Sequence, residues 1–449
     1  MTKKNLFLII LGLRTMTLLG QPCYSLDQLV DSALQRGYAM RTAQHDIDAA
    51  REQRKEARTH YFPTVSAAGG WFNTTDGMAR LNLNPADVIP ESLVPVLQQA
   101  LPAEAVAALA NPVSMTMMKD GVIGGVTALQ PVFAGGQIIN SNRLAGVGEQ
   151  VSQLKMQLTT NQVVLTTEQY YWQLLSLQQK LKTIDAVDSL LASLNKDATL
   201  AIQAGIAMRN DLLQVQLRQN ELQSSRLKLG NGISLLKMML AQHCGLRDTV
   251  FVCQNITTDP YTMPQYVEPD RAARSTTEYQ LLLKNVQATE LMRKLEVGKN
   301  LPTVAVGAGY NYHNVLDHGH SFGMVMATVT VPISGWWGGS HAIKRRKIER
   351  IKAEEQLADN TQMLQIRAQK AWNDLQDAFE QIMIAQRSID QAQENLRLQR
   401  DFYQVGTTTM SDLLEAQMLY QQACDRHTDA QADYQIKLVT YNQSMGLTR

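Results

Sequence analysis

The chain contains 449 residues, of which 45% are hydrophobic, 18% charged and 6% aromatic. Its length suits about two or three ordinary globular domains, and its composition excludes a disordered or collagen-like chain. A formal charge of +1 excludes a broad basic surface for nucleic acid, and four cysteines are too few for a disulfide scaffold.

The N-terminus has the pattern of an export signal. Two lysines precede the apolar run from Leu6 to Leu13, and the small residues Cys23 and Ser25 suit a cleavage site. We predict a signal peptide over residues 1–25 and a mature protein outside the cytoplasm. No apolar run of roughly 18 residues follows, so no transmembrane helix is predicted. On this evidence the exported chain is either soluble or inserted into a membrane as strands.

The sequence contains an internal duplication. Pro63-Thr64-Val65 recurs as Pro302-Thr303-Val304, and further residues match at a constant separation of 201 positions. These matched pairs are Pro131 and Pro332, Gly205 and Gly406, Asp211 and Asp412, Gln216 and Gln417, and Gly245 and Gly446. We therefore predict a first repeat at 26–265 and a second at 266–449, with the same order of elements in each.

Each repeat is predicted to open with a single long helix followed by two strands. The helices run from Leu26 to His60 and from Glu268 to Lys299, and both end before an X-Pro pair. Alternation of apolar and polar residues then indicates strands. These are Val65 to Trp71, Val122 to Phe133, Val304 to Tyr312 and Met324 to Val331. An insert at 76–119 is predicted to contain a short helix near Leu93 to Leu109.

The longest predicted elements are two helices at 137–204 and 340–405. Leucine and valine recur between 144 and 158 at alternating steps of three and four residues, which is the seam of a coiled coil. A helix of this length would span roughly 100 Å. Gly205 and Gly406 stop the two helices, and a return helix follows each. Every repeat therefore contains a long helical hairpin.

The four predicted strands have the length needed to cross a bilayer, but four strands cannot close a barrel. Open strand edges in lipid would leave backbone groups unpaired, so several chains would have to combine their strands. Three chains would supply twelve strands, and their hairpins would form a tube. A second interpretation stays open here, a soluble periplasmic coiled-coil scaffold or adaptor whose short strands only cap the hairpins.

Four motifs carry a family resemblance: Phe62-Pro63-Thr64-Val65, Pro131 to Gly136, Tyr403-Gln404-Val405-Gly406, and Met410 to Gln417. With them, the mature chain resembles the TolC-type outer-membrane factors. The resemblance implies a mainly α-helical protein with a β-barrel portion. Four transmembrane strands per chain would combine in a trimeric 12-stranded barrel, continued by a periplasmic α-helical coiled-coil tunnel. The implied location is the outer membrane of a Gram-negative bacterium.

The resemblance implies a passive exit channel of a tripartite efflux pump or a type I secretion system. Its partners would be two further copies of the chain, a periplasmic adaptor, an inner-membrane transporter of the RND, ABC or MFS type, and outer-membrane lipid. Nucleic acid is not expected as a partner. The sequence contains no HExxH, GxSxG or Walker A motif, so we predict no enzyme, cofactor or metal site.

In the family, the tips of the helical hairpins close like an iris. Asp412 and Glu415 match the acidic residues of that constriction. Tyr403 matches a tyrosine that bridges the hairpins, with Asp211 as its expected acceptor. Family members can carry an arginine two residues after the tip glycine, where this chain has Thr408, and Arg209 could take over its role.

Adaptor docking is expected at the same tips, and ordinary structural roles remain open for the gate residues. The expected docking residues are Gly205, Ala207, Met208, Gly406, Thr407 and Thr409. Asp211 and Asp412 could be plain helix N-caps. Glu415 could be a solvated surface charge, and Tyr403 could pack in the helical seam.

Overall fold

The computed structural model describes residues 23–76, 79–84, 89–102, 104–105, 113–205, 208–247, 249, 251–253, 261–314 and 318–447. Most of the predicted signal peptide lies outside these residues. The described chain is mainly helical, as predicted. Within it, no helix combines the length and the apolar character needed to span a membrane.

The order of elements is the same in both halves of the chain, except that the first half has an insert between the two strands of its main-sheet pair. The first half contains β1 (Cys23–Tyr24), α1 (Leu26–Arg36), α2 (Tyr38–Thr59), β2 (Thr64–Asn73), β3 (Ala79–Leu83), α3 (Val94–Ala100), β4 (Val113–Met117), β5 (Asp120–Ala134), α4 (Gln137–Gln203) and α5 (Arg209–Cys244). The second contains β6 (Val252–Cys253), α6 (Pro269–Ser275), α7 (Thr277–Lys299), β7 (Thr303–His313), β8 (His320–Thr330), α8 (Gly335–Gln404) and α9 (Met410–Ser444). The predicted strands and helical hairpins are therefore present.

The first helix of each repeat is broken, and the prediction of one continuous helix is wrong. α1 and α2 are separated at Gly37, where ψ is 139°. α6 and α7 are separated at Thr276, where ψ is 151°. The Thr276 hydroxyl accepts the N–H of Tyr279 at 3.3 Å and thereby caps α7. Gly37 and Thr276 are 239 residues apart, the same separation as Pro63 and Pro302.

The break in each first helix packs against the end of a return helix. Gly245 and Gly446 end α5 and α9 with φ values of 65° and 70°. A Cβ at Gly245 would lie 2.8 Å from the carbonyl oxygen of Arg36, and one at Gly446 would lie 2.8 Å from that of Ser275. Both glycines are therefore required by conformation and by close packing, and the duplication extends to this contact.

The main sheet has the antiparallel order β2-β5-β7-β8. A shift in register between Pro131 and Phe133 marks a bulge in β5. The insert contains a hairpin of β3 and β4 that was not predicted, and α3 is shorter than the predicted helix. The two strands of this hairpin are far apart in sequence, so no short turn signals their pairing.

The chain forms two compact units. One contains the chain up to residue 51, residues 147–287 and the chain from residue 351 onward, and the other contains 52–146 and 288–350. The helical tips belong to the first unit and the main sheet to the second. Both units draw on both repeats, so the repeat boundaries at 26–265 and 266–449 stay a prediction.

Two buried tyrosines of α9 hold the segment that precedes α6. The Tyr441 hydroxyl donates to the carbonyl of Gln265 at 2.9 Å and accepts the N–H of Val267 at 3.1 Å. The Tyr434 hydroxyl donates to the carbonyl of Thr262 at 2.7 Å. Burial raises the pKa of both phenols. The segment is thus fixed by hydrogen bonds from the two tyrosine hydroxyls.

Tyr441→Phe is expected to lower the free energy of unfolding by about 1–3 kcal/mol, because it removes two partly buried hydrogen bonds to the backbone. Tyr38 is 71% exposed, and its hydroxyl makes no hydrogen bond to another described residue. Tyr38→Phe is therefore the matched control and should be neutral. Chemical denaturation of the purified proteins, followed by circular dichroism, measures both. Equal stability of the two variants would contradict the assigned role of Tyr441.

Candidate functional site

The first helical tip joins α4 to α5. Gly205 has a φ of 73°, and its N–H donates to the carbonyl of Ile202 at 3.0 Å, as at a glycine that ends a helix. Met208 takes the N-cap position of α5, and its N–H donates to the Asp211 carboxylate at 3.3 Å. Ala207, a predicted docking residue, lies outside the described residues. Asp211 therefore stabilises the first turn of α5.

The second tip joins α8 to α9 through a Schellman turn. Gly406 has a φ of 76°, and its N–H donates to the carbonyl of Tyr403 at 3.1 Å. The N–H of Thr407 donates to the carbonyl of Phe402 at 2.9 Å. A Cβ at Gly406 would meet no described atom within 4 Å. The backbone conformation, and not lack of space, requires glycine at this tip.

Asp412 belongs to a capping box with Thr409. Its carboxylate accepts the Thr409 hydroxyl at 2.6 Å, the Thr409 N–H at 3.1 Å and the Thr408 hydroxyl at 3.0 Å. These hydrogen bonds, with those from Thr409 first, hold the pKa of Asp412 below its ordinary value. The N-caps are Thr409 and Met208, whereas Asp412 and Asp211 occupy the third helical position. The N-cap alternative is corrected accordingly, although both aspartates do serve their helix ends.

Glu415 lies one helical turn beyond Asp412 and has a different environment. It is exposed, and it makes no hydrogen bond or ion pair with another described residue. Arg209 is likewise exposed and unpaired within the described chain. Thr408 lies 3.0 Å from the Gln399 amide oxygen as well as from Asp412. Within one chain, Arg209 therefore does not replace the arginine that some family members carry.

Tyr403 lies where the two hairpins meet. It is half-buried and packs against a cluster that includes Met410 and Leu413. Burial raises the pKa of Tyr403, and the negative charges of Asp211 and Asp197 raise it further. Asp211 is thus near enough to act on the phenol, but no hydrogen bond joins the two side chains within this chain. The bridging role stays a prediction, and seam packing is present as well.

The tips also present exposed apolar side chains. Met208 is 76% exposed and Val405 is 72% exposed. Val405 was not among the predicted docking residues, because a hydrophobic residue at the end of an amphipathic helix gives no sign of its exposure. Thr407 and Thr409 are exposed beside it. The described residues of each tip thus include an exposed hydrophobic side chain.

Sequence reasoning assigned no role to Gln417 beyond its match with Gln216. Gln417 is fully buried, and both of its amide atoms lack a hydrogen-bond partner among the described residues. It lines a cavity of about 370 Å³ together with Thr183, Tyr420 and His427. Because Gln216 is exposed, the repeat pattern does not distinguish the buried glutamine from its solvated counterpart.

Residues 283–447 match the family model described as outer membrane efflux protein. The match covers 165 of the 449 residues, all of them in the predicted second repeat. The predicted resemblance to the TolC-type factors is confirmed by this match and by the fold. No curated protein sequence matches the chain.

Solved channel structures share the fold of the chain over 94% of its length. VceC from Vibrio cholerae is 13% identical, with a TM-score of 0.72 and 96% of that chain covered. CmeC, an outer membrane channel of Campylobacter jejuni, is 12% identical, with a TM-score of 0.73 and 85% covered. MtrE of Neisseria gonorrhoeae, in its open state, is 14% identical, with a TM-score of 0.71 and 90% covered. At such low identity the likeness concerns the fold.

The family match agrees with three further predictions. Efflux proteins of the outer membrane are a class of channels and not of enzymes, as the sequence predicts. The predicted outer-membrane location and the mainly helical fold with a small antiparallel sheet are confirmed at the level of the family and its fold. The family description is consistent with a function in efflux.

Proposed function

We propose that three copies of this chain form a passive exit channel in the outer membrane. Their sheets would close a 12-stranded barrel, and their helical hairpins would form a periplasmic tunnel. The observation that carries this proposal is the division of the four-stranded sheet into an apolar face and a more polar face.

The apolar face follows from the strand register. In one row across the sheet, Val65, Ala128, Ala308 and Val325 are consecutive partners. Exposed members of this face, with their exposed fractions, are Val65 66%, Trp71 69%, Val122 43%, Val126 50%, Val306 42%, Tyr310 63%, Tyr312 44%, Val325 87% and Val329 65%. A face of this composition suits contact with lipid, and its exposed aromatic residues suit the membrane interface.

The opposite face has smaller and more polar residues. Its rows contain Ser66, Thr127, Gly309 and Met324, and then Ala68, Gly125, Asn311 and Phe322. Small side chains leave room on this face, and Asn311 and Thr127 favour contact with water. This alternation of lipid-facing and lumen-facing residues is the pattern of a membrane barrel strand.

The edges of the sheet support assembly from several chains. β2 and β8 each pair on one side only within the described chain. An unpaired strand edge inside lipid costs several kcal/mol for each unsatisfied backbone group. Pairing β8 of one copy with β2 of the next would satisfy both edges, and three copies would supply the twelve strands of a closed ring.

The helical tips would form the gate. Three copies of Glu415 would place exposed carboxylates at the constriction, and Asp412 would hold the turn through its capping box while adding charge beside it. Tyr403 and Asp211 would join the hairpins in the closed state. This assignment draws on the family resemblance together with the free Glu415 carboxylate and the proximity of Tyr403 to Asp211.

The tips would also receive a periplasmic adaptor. Gly205, Met208, Gly406, Thr407 and Thr409 would contact it, and the exposed hydrophobic residue at each tip would be covered. An inner-membrane transporter of the RND, ABC or MFS type would supply the energy, because the chain contains no nucleotide-binding motif. Efflux in a tripartite pump is favoured over type I secretion by the family match.

Single-channel recording of the detergent-extracted trimer in a planar bilayer tests the proposal. A small, cation-selective current is the expected result for a channel with acidic residues at a closed constriction. Protein that stays in solution without detergent and never inserts would instead support the coiled-coil scaffold.

A further inference from the structure

Exposed hydrophobic residues surround the end of the sheet at which its strands join helices. They are Tyr61 47%, Phe62 67%, Val132 65%, Phe133 48%, Ile333 63% and Trp337 80% exposed. We call this group the aromatic belt. Aromatic and aliphatic side chains in such a position are typical of the boundary between hydrocarbon and headgroups.

Four exposed cations lie on the helices that adjoin this belt. They are Arg58, Arg143, Lys344 and Lys347, and none makes an ion pair or side-chain hydrogen bond with another described residue. Arg58 stands one residue before the end of α2, and Arg143 lies in the second turn of α4. At 1.5 Å per residue, Lys344 and Lys347 are about 14–18 Å along α8 from its first residue. All four belong to the compact unit that contains the main sheet.

The same unit contains cations that do have partners. Arg346 pairs with Glu349 at 2.7 Å and Arg293 with Glu290 at 2.9 Å. Carboxylates are thus available on these helices, yet the four exposed cations do not meet them. Their charge is directed outward and is free for an anion from outside the chain.

The spacing on the helices places cations and hydrophobic residues on shared stripes. Trp337, Lys344 and Ile348 are separated by seven and four residues, which puts them on one face of α8. Ile348 is 65% exposed. Arg143 follows the exposed Ile139 by four residues on α4. Each of these stripes therefore offers apolar contact and a positive charge side by side.

We propose that Arg58, Arg143, Lys344 and Lys347, named here the cationic collar, bind the phosphate headgroups of anionic phospholipids in the periplasmic leaflet of the outer membrane. Long basic side chains extend to the interface and attract anionic headgroups. The aromatic belt would contact the part of each acyl chain that lies next to its headgroup. A free phosphate ion would use the charges but not the belt. This inference rests on the proposed insertion of the sheet into the membrane.

Native mass spectrometry of the detergent-solubilised protein, with phosphatidylglycerol or phosphatidylethanolamine added in mixed micelles, tests the collar. We expect preferential retention of phosphatidylglycerol, weakening as ammonium acetate is raised, because exposed charges are screened by salt. In the variant with all four cations changed to Gln, the preference for phosphatidylglycerol should be reduced at least threefold. Millimolar inorganic phosphate should not compete, since it lacks the acyl chains.

The matched control changes Arg41, Lys196, Lys228 and Arg400 to Gln. These are also two arginines and two lysines, exposed and unpaired within the described chain, but they belong to the other compact unit. The control should keep the preference for phosphatidylglycerol. A collar variant that keeps it, or wild-type protein that shows none, would overturn the inference, and displacement by inorganic phosphate would assign the site to free anions. If the fourfold variant does not fold, Lys344→Gln with Lys347→Gln gives the same test.

Bilayer insertion distinguishes this inference from the proposed function. The collar variant should still insert and conduct, because the apolar face of the sheet is unchanged. Loss of lipid preference with retained conductance supports both proposals. Wild-type protein that never inserts would contradict the proposed channel, and it would also contradict the placement of the collar at a membrane.

Discussion

Val325→Arg is expected to prevent insertion of the protein into the outer membrane. Val325 is 87% exposed on the apolar face of β8. An arginine on the lipid face near the middle of a bilayer costs about 2–4 kcal/mol, so three copies would cost about 6–12 kcal/mol for each trimer. Sucrose-gradient fractionation of cell membranes, with detection of the folded trimer by its heat-sensitive gel mobility, measures the loss.

Met324→Arg is the matched control because Met324 is the neighbouring residue on the opposite face. It is 39% exposed and lines the more polar side of the sheet. An arginine there would meet water in the proposed lumen, so the trimer should reach the outer membrane in near-normal amount. Equal loss for both variants would show that the two faces are not separated by lipid and water, and normal insertion of Val325→Arg would contradict a lipid-facing Val325.

The strands show how much local pattern can predict. Alternation from Val304 to Tyr312 assigns one face, and the register with β8 places Val325 and Val329 on that same face. Period-two patterning specifies a face because successive side chains point to opposite sides. It carries no information on strand order, so the central pair of β5 and β7 became evident only from the structure.

Helix breaks illustrate the opposite case. Gly37 and Thr276 stand inside apolar patterns that continue on both sides, and a single glycine or threonine is tolerated in a helix at modest cost. The break becomes favourable through tertiary contact, where Gly245 and Gly446 approach the preceding residues closely. Such a contact joins distant parts of the chain and cannot be read from local periodicity.

At the tips, the sequence identified the turn residues but not the hydrogen bonds that each of them makes. The spacing from Thr409 to Asp412 is that of a capping box, and it could have signalled the hydrogen bonds of Asp412. The hydrogen bond from the Thr408 hydroxyl to the Gln399 amide oxygen joins the two sides of the turn, and no sequence motif indicates it. Matching Asp412 and Glu415 to the family's acidic residues therefore treated two different environments as one.

That difference leads to a prediction about the gate. In Asp412, one carboxylate oxygen accepts three hydrogen bonds at the positive end of α9. Glu415 is exposed and unpaired within the described chain. Its charge is therefore the less compensated of the two, and three copies at a narrow constriction would attract cations strongly. Multivalent cations should consequently bind through Glu415 more than through Asp412.

Glu415→Gln is expected to raise single-channel conductance and to weaken block by hexaamminecobalt(III) at least tenfold, while leaving stability unchanged. Asp412→Asn should weaken block by a smaller factor and should also destabilise the tip, because the amide replaces a charged acceptor of the capping box. Thr409→Ala is the control, since it removes the N-cap at a cost of about 1 kcal/mol without changing charge. Dose–response curves for block, recorded on all three variants in planar bilayers, measure the effects. A larger change in block for Asp412→Asn than for Glu415→Gln would reverse the assignment, because the capped carboxylate would then be the one that faces the pore.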